Sequence, residues 1–125
     1  MPSKFSVVQR LSSFRFAFKG IKHLLISQHN TWIHLIIAVL VIIAGFIFGL
    51  SNLEWLLICF ATGFVFSAEA MNTAIEMLVD KVSPERNREA GLVKDLAAGA
   101  VLIAAITAAV IGLIIFLPKI INLCY

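Results

Sequence analysis

The sequence is poor in charge, in cysteine and in the loops that soluble enzymes use to hold phosphate. Charged residues make up 14% of its 125 residues, against roughly 25% in a soluble domain. Cys59 and Cys124 are isolated, which excludes a metal or redox cysteine motif. No glycine-rich phosphate loop of the usual pattern occurs. We expect no cleavable signal peptide, because the long basic N-terminal segment lacks a compact apolar core with a cleavage site.

Apolar side chains dominate the chain instead. Hydrophobic residues account for 61% of the sequence, and the mean hydropathy is +1.00. We therefore predict one all-α domain, residues 1–125, integral to a membrane. A chain this short cannot enclose a large site alone, so we expect an oligomer. The formal net charge of +3 is small, and we expect no nucleic-acid partner.

Apolar runs place four predicted helices. Residues 5–27 are basic and amphipathic, which predicts a helix lying on an anionic membrane surface. Such a helix can serve as an anchor alone, or also as a lid that excludes water from a membrane site. A polar hinge over 28–34 follows it. The three membrane helices are predicted at 33–50, 53–82 and 92–117.

Local signals set the boundaries of these helices. Ser51 and Glu54 have the spacing of a capping box, which predicts a tight turn and a new helix start. Ser83 and Pro84 favour a boundary followed by another helix, and Pro118 predicts the end of the last helix. Small residues four apart predict close helix packing. They are Gly45 and Gly49 in the first membrane helix, and Ala100, Ala104, Ala108 and Gly112 in the third.

The distribution of basic residues predicts the orientation in the membrane. Five basic residues and no acid precede the first membrane helix, and four more lie in the 80–95 loop. The 51–54 turn has none, and the C-terminus has Lys119 alone. Because basic loops stay in the cytoplasm, the N-terminus and the 80–95 loop are predicted to be cytoplasmic.

A polar stripe interrupts the second membrane helix. Glu69, Asn72, Glu76 and Asp80 are spaced three, four and four apart, so on an α-helix they share one face. A carboxylate inside a membrane helix costs about 2.5–3.5 kcal/mol on insertion scales. The stripe is therefore a candidate site, which faces protein, metal or water rather than lipid.

The residues of the stripe are compatible with three kinds of protein. Two carboxylates seven residues apart can have separate roles. One can hold a divalent cation, and the other can take a proton from an alcohol. With Lys94 and Asp95 at the start of the third membrane helix, this arrangement suits phosphoryl transfer. Intramembrane acids also serve proton or cation relays. They can also be structural, neutralised by Lys or Arg across an oligomer interface.

Two segments carry a family resemblance. Glu-Ala-Met-Asn-Thr-Ala-Ile-Glu-Met-Leu-Val-Asp at 69–80 and Val-Lys-Asp-Leu-Ala-Ala-Gly-Ala-Val-Leu at 93–102 resemble the prokaryotic diacylglycerol kinase family. That family includes diacylglycerol kinases and undecaprenol kinases. The segment Phe14-Arg-Phe-Ala-Phe-Lys-Gly20 and the Asn30…His34 pair are similar as well. The resemblance spans about residues 10–118.

The resemblance implies a homotrimer with active sites shared between protomers, in the bacterial inner membrane. It implies Glu69 as the general base toward a lipid hydroxyl, and Glu76 as a ligand of the Mg²⁺ that accompanies ATP. Gln28 stands where the family usually has a second metal-binding glutamate. The implied ATP-binding residues are Glu76, Glu85, Arg86, Asn87, Lys94 and Asp95. The implied supporting or substrate-binding residues are Asn72, Asn30, His34, Phe14 and Ala98.

One position and one three-residue segment depart from the family pattern. A glutamine carbonyl at Gln28 can coordinate Mg²⁺, but it carries no charge. The segment Glu85-Arg86-Asn87 stands where Glu-Tyr-His is often found. We predict an ATP-dependent membrane lipid kinase that converts diacylglycerol to phosphatidic acid. The alternatives are an undecaprenol kinase and a catalytically weakened membrane protein that serves as a binding or scaffold module.

Overall fold

The computed structural model describes residues 4–125, and within that range it contains helices and no strands. The four helices are α1 (Val7–Ser27), α2 (His29–Phe48), α3 (Asn52–Val82) and α4 (Arg88–Cys124). Helices α2, α3 and α4 are each long and apolar enough to cross a membrane. The prediction of an all-α protein with three candidate membrane spans is therefore confirmed.

Capping side chains begin three of the helices. The Ser6 hydroxyl accepts a hydrogen bond from the Gln9 N–H at the start of α1. At the start of α3, the predicted capping box between Ser51 and Glu54 is confirmed, with both reciprocal hydrogen bonds formed. The N-cap of α4 is Asn87. The sequence pointed to Ser83 and Pro84 for this boundary, but Ser83 instead ends α3.

The junction between α2 and α3 is compact. Helix α2 ends at Gly49, which adopts the left-handed conformation with φ of 66° and so favours glycine. Gly45 lies against the Trp55 ring, and an added Cβ there would stand only 2.5 Å from Trp55 Cη2. The sequence predicted close helix packing at both Gly45 and Gly49. Gly45 makes such a contact, whereas a Cβ added at Gly49 would have no neighbour within 4 Å. This packing fixes how α3 leaves α2.

Helix α4 packs mainly along α3. Ala104, in the middle of the predicted small-residue ridge, is completely buried. Ala108 and Gly112 are half-buried, and Ala100 is exposed. The ridge is therefore used in part within the protomer, where small side chains let two helix backbones approach closely.

Three helix boundaries differ from the sequence prediction by four residues or more. Helix α4 begins at Arg88 rather than 92, because the Asn87 side chain caps it. Helix α2 begins at His29 rather than 33, so the predicted hinge shrinks to the single extended residue Gln28. Helix α4 continues through Pro118 to Cys124. Proline removes one backbone donor, but the apolar sequence continues beyond it, and Lys119 Nζ lies 3.2 Å from Glu54 Oε2 at the start of α3. This ion pair ties the end of α4 to α3.

Candidate functional site

The candidate site is built on the buried face of α3. Its buried residues recur every three or four positions, which is the period of one helix face. They are Ile58, Ala61, Val65, Glu69 and Thr73. Glu69 thus continues an apolar row, and its side chain is only 3% exposed. A carboxylate at such a position needs a partner, because burying an unpaired charge is costly.

His34 of α2 is that partner. Its Nε2 lies 3.0 Å from Glu69 Oε1, and its side chain is 21% exposed. His34 also lines an apolar cavity of about 240 Å³ between α2, α3 and α4. The pair therefore joins a buried acid to an apolar space that reaches toward the outside of the helix bundle.

Four buried side-chain oxygens near this pair have no well-aligned hydrogen-bond partner in the described residues. They are Thr31 Oγ1, Glu69 Oε1, Asn72 Oδ1 and Thr73 Oγ1. For Glu69 Oε1, His34 is within reach, but its N–H is not aligned on the oxygen. Buried polar atoms in native proteins normally have a partner, so this region has unused capacity to bind a hydroxyl or water.

Sequence reasoning missed Thr31 and Thr73. Both are among the most buried residues described, and Thr31 is fully enclosed. A usable signal was present, since Thr73 lies four residues after Glu69 and Thr31 lies three before His34. On helices these spacings place each threonine beside a member of the pair.

Exposure increases along the predicted polar stripe toward the α3–α4 loop. Glu69 is buried, Asn72 and Glu76 are half-buried, and Asp80 is exposed. Lys94 at the start of α4 donates to Asp80 through its ammonium group. The predicted nucleotide-binding lysine is thus paired with the outer end of the stripe, whereas its neighbour Asp95 is exposed.

The α3–α4 loop forms a polar recess of about 410 Å³. It is lined by residues that include Asp80, Glu85, Arg86, Asn87 and Lys94. The side chain of Asn87 is already used, because its oxygen caps α4 at Ala90 and its amide donates to the Ser83 hydroxyl. The recess therefore brings together four of the six predicted ATP-binding residues, with the Asn87 side chain in a structural role.

The remaining predicted site residues lie near the α1–α2 junction or on outer faces. Gln28 is half-buried at the junction, and its backbone N–H donates to the Leu24 carbonyl. Phe14, Asn30 and Ala98 are exposed. The chain alone does not bring these three into the buried cluster.

The two metal ligands predicted from the sequence are oxygen donors of the type that Mg²⁺ prefers, although the chain offers few of them. Residues 4–125 contain no group of three His, Cys, Asp or Glu side chains able to hold a metal. The predicted ligands are a carboxylate at Glu76 and an amide carbonyl at Gln28, and both are hard oxygen donors. Because Mg²⁺ usually keeps several waters and phosphate oxygens, a small protein donor set fits a metal that arrives with a nucleotide.

Comparison with known proteins gives consistent matches over nearly the whole chain. The sequence profile described as "prokaryotic diacylglycerol kinase" matches residues 15–116. The chain is 42% identical over 107 residues to an undecaprenol kinase of Bacillus subtilis (strain 168), which covers 86% of this chain and 87% of that protein. It is 36% identical over 114 residues to a diacylglycerol kinase of Synechocystis sp. (strain ATCC 27184 / PCC 6803 / Kazusa), which covers 90% of this chain and 65% of that protein.

Proposed function

Because this chain belongs to the prokaryotic diacylglycerol kinase family, we propose that it is a membrane lipid kinase that transfers the γ-phosphoryl group of ATP to a lipid alcohol. The observation that supports this proposal best is the buried Glu69 carboxylate, with His34 Nε2 at 3.0 Å. A general base of this kind acts where water is excluded and where an alcohol can be held by nearby unpaired oxygens.

The proposed acceptor is a polyprenol, with diacylglycerol as the second candidate. The sequence prediction put diacylglycerol first. The order changes because the chain is 42% identical to the undecaprenol kinase and spans 87% of it, whereas it is 36% identical to the diacylglycerol kinase and spans 65% of it. Both acceptors present a primary hydroxyl at the bilayer surface, so the same base can serve either.

In the proposed mechanism, Glu69 removes the proton of the lipid hydroxyl while the hydroxyl oxygen attacks the γ-phosphorus. Phosphoryl transfer needs positioning and charge neutralisation more than covalent chemistry. Lys94 supplies a positive charge toward the phosphates, and Asp95 and the 85–87 segment hold the nucleotide. Asn72, one turn from both Glu69 and Glu76, supports the two carboxylates.

Glu76 and Gln28 would hold the Mg²⁺ that accompanies ATP. Bound there, the metal would neutralise phosphate charge and orient the γ-phosphoryl group. Asn30, Phe14 and Ala98 are proposed to support the lipid acceptor directly, and His34 is proposed to support it through Glu69.

The proposed setting is the bacterial inner membrane, with the N-terminus and the 80–95 loop in the cytoplasm. Helix α1 is proposed to lie on the membrane surface. Leu24 is the one buried residue in α1. The exposed apolar side chains of this helix include Phe14 and Phe18. The active assembly is proposed to be a homotrimer.

The test is an ATP-dependent phosphorylation assay of the purified protein in lipid micelles, with undecaprenol and diacylglycerol compared side by side. We expect phosphorylation of undecaprenol at the higher rate. Glu69→Gln should abolish turnover, because an amide cannot accept the proton, while nucleotide binding persists. Near-normal turnover by Glu69→Gln would refute the assignment of the base, and inactivity of the unaltered protein on both lipids would favour a scaffold role.

A further inference from the structure

We infer that His34 is the positioning residue of the base: its imidazole, with Nε2 at 3.0 Å from Oε1, holds the Glu69 carboxylate in the orientation in which it accepts the hydroxyl proton. This inference rests on the proposed function, in which Glu69 accepts the hydroxyl proton. Within residues 4–125, His34 is the one basic side chain within 4.0 Å of Glu69. Lys94 is paired with Asp80, and Lys119 with Glu54.

The distance between the two side chains allows a hydrogen bond between them. At 3.0 Å, His34 Nε2 and Glu69 Oε1 are at hydrogen-bonding separation, and two bare lone pairs would repel each other there. A neutral imidazole satisfies the contact when its proton is on Nε2 and its Nδ1 carries none. The N–H is not aligned on Oε1 in the structure, so the bond forms when the imidazole turns toward that oxygen.

The two side chains come from different helices, and this fixes their geometry. His34 lies in α2 and Glu69 in α3. The neighbouring threonines, Thr31 and Thr73, are both buried, so the pair is embedded between packed helix faces. A single donor on Oε1 leaves Oε2 as the oxygen available to the substrate hydroxyl. The imidazole therefore favours Oε2, which keeps both of its acceptor sites, as the oxygen that acts as the base.

The proton balance of the reaction leaves His34 unchanged. As the lipid oxygen attacks, its O–H bond breaks and the proton moves to Glu69. The new oxygen–phosphorus bond forms while the bond from the γ-phosphorus to ADP breaks, and that electron pair leaves with ADP. His34 keeps its own proton throughout. Its contribution is to orient the carboxylate before the transfer, so it acts through Glu69 and not on the substrate.

The experiment compares His34→Leu with His34→Gln, whose amide N–H can reach the same oxygen. His29→Leu is the matched control, because His29 is an exposed histidine of the same helix. We expect His34→Leu to lower kcat roughly 10- to 100-fold, the size expected when a charged acceptor loses one donor, with the KM for ATP unchanged. His34→Gln should recover most of the rate, and His29→Leu should match the unaltered protein. Equal rates for His34→Leu and His29→Leu would overturn the inference, as would a His34→Gln variant no faster than His34→Leu.

A second arm separates positioning from a general packing role. Aspartate at 69 is one methylene shorter and withdraws from His34, so His34→Leu should cause less than about a twofold further loss in the Glu69→Asp background. If His34→Leu lowered the rate as much in the Glu69→Asp background as in the unaltered protein, the inference that His34 acts through Glu69 would be wrong.

The ¹⁵N NMR signals of His34 should also report an Nε2–H tautomer that changes on Glu69→Gln. This spectrum tests the contact even if the protein phosphorylates no lipid, so failure of the proposed function and failure of this inference are distinguishable.

Discussion

Gln28 is the residue at which this chain departs most consequentially from the metal site that its family resemblance implies. It is the one residue between α1 and α2, and it is half-buried. Its carbonyl oxygen offers a dipole where a glutamate would offer a full charge. Mg²⁺ is a hard cation that is usually held by carboxylates, waters and phosphate oxygens. With Glu76 as the one proposed ligand that carries a charge, the metal should bind weakly until ATP brings it.

We therefore expect Gln28→Glu to lower the Mg²⁺ concentration for half-maximal rate and to raise turnover. One charged ligand contact is worth about 1–3 kcal/mol, a roughly tenfold to hundredfold effect. The measurement is a Mg²⁺ titration of initial rate at saturating ATP, with Gln28→Ala as the control that should show neither gain. An unchanged Mg²⁺ dependence in Gln28→Glu would place position 28 outside the metal shell.

At this same scale, the sequence predicted the polar stripe but not the partners of its residues. The helical spacing from Glu69 to Asp80 follows from local geometry alone, so it could be predicted. The contact between His34 and Glu69 depends on how α2 and α3 pack, and those residues are far apart in the chain. The Asp80–Lys94 pair likewise forms across two helices, and no local periodicity contains that information.

At the scale of secondary-structure elements, the close approach of Gly45 to Trp55 determines the α2–α3 junction. A Cβ at residue 45 would stand 2.5 Å from Trp55 Cη2 and 3.0 Å from Leu50 Cδ1. Alanine normally stabilises a helix by about 0.5–1 kcal/mol over glycine, but overpacking costs about 1–3 kcal/mol. We expect the cost of overpacking to exceed this gain, because a rigid ring and a second side chain both stand at 3.0 Å or less from that Cβ.

We expect Gly45→Ala to lower the melting temperature of the detergent-solubilised protein. Gly63→Ala is the control, since a Cβ at residue 63 meets nothing within 4 Å in the chain and should not lower the melting temperature. Adding Trp55→Leu to Gly45→Ala should recover stability by removing the clashing ring. Equal melting temperatures for the two single variants would show that the Gly45–Trp55 contact is not tight.

The helix boundaries show where signals in the local sequence are sufficient to predict the start or end of a helix. The Ser51–Glu54 capping box is contained within four residues, and it forms as predicted. Pro118 was a misleading signal, because the loss of one backbone donor does not end a helix whose apolar side chains continue and whose Lys119 is paired with Glu54. Tertiary contacts of this kind override a local stop signal.

At the scale of the whole molecule, the exposed apolar surface is far larger than that of a soluble monomer. Exposed large side chains occur on every helix, and they include Phe46, Phe60, Met71 and Leu113. Lipid covers such side chains in a membrane, and other protomers can cover part of them. The sequence could predict membrane insertion from composition, but it could not assign each face to lipid or protein.

The distance along α3 favours an active site shared between protomers. Lys94 is held at Asp80, which is eleven residues from Glu69, or about 16 Å along the helix axis. A lysine held there is remote from the γ-phosphoryl group that the base must serve. A neighbouring protomer could bring its own Lys94 closer to this Glu69. The two residues would then meet across a subunit boundary.

We therefore expect mixed assemblies of Glu69→Gln and Lys94→Ala chains to recover activity that each variant lacks alone. Random assembly gives some boundaries at which an intact Glu69 faces an intact Lys94, so a fraction of the sites should work. The measurement is lipid phosphorylation after the two variants are mixed, unfolded and refolded together, with each variant refolded alone as the control. No recovery in the mixture would show that both residues must come from the same chain, and a fully active monomer at all dilutions would refute the oligomer itself.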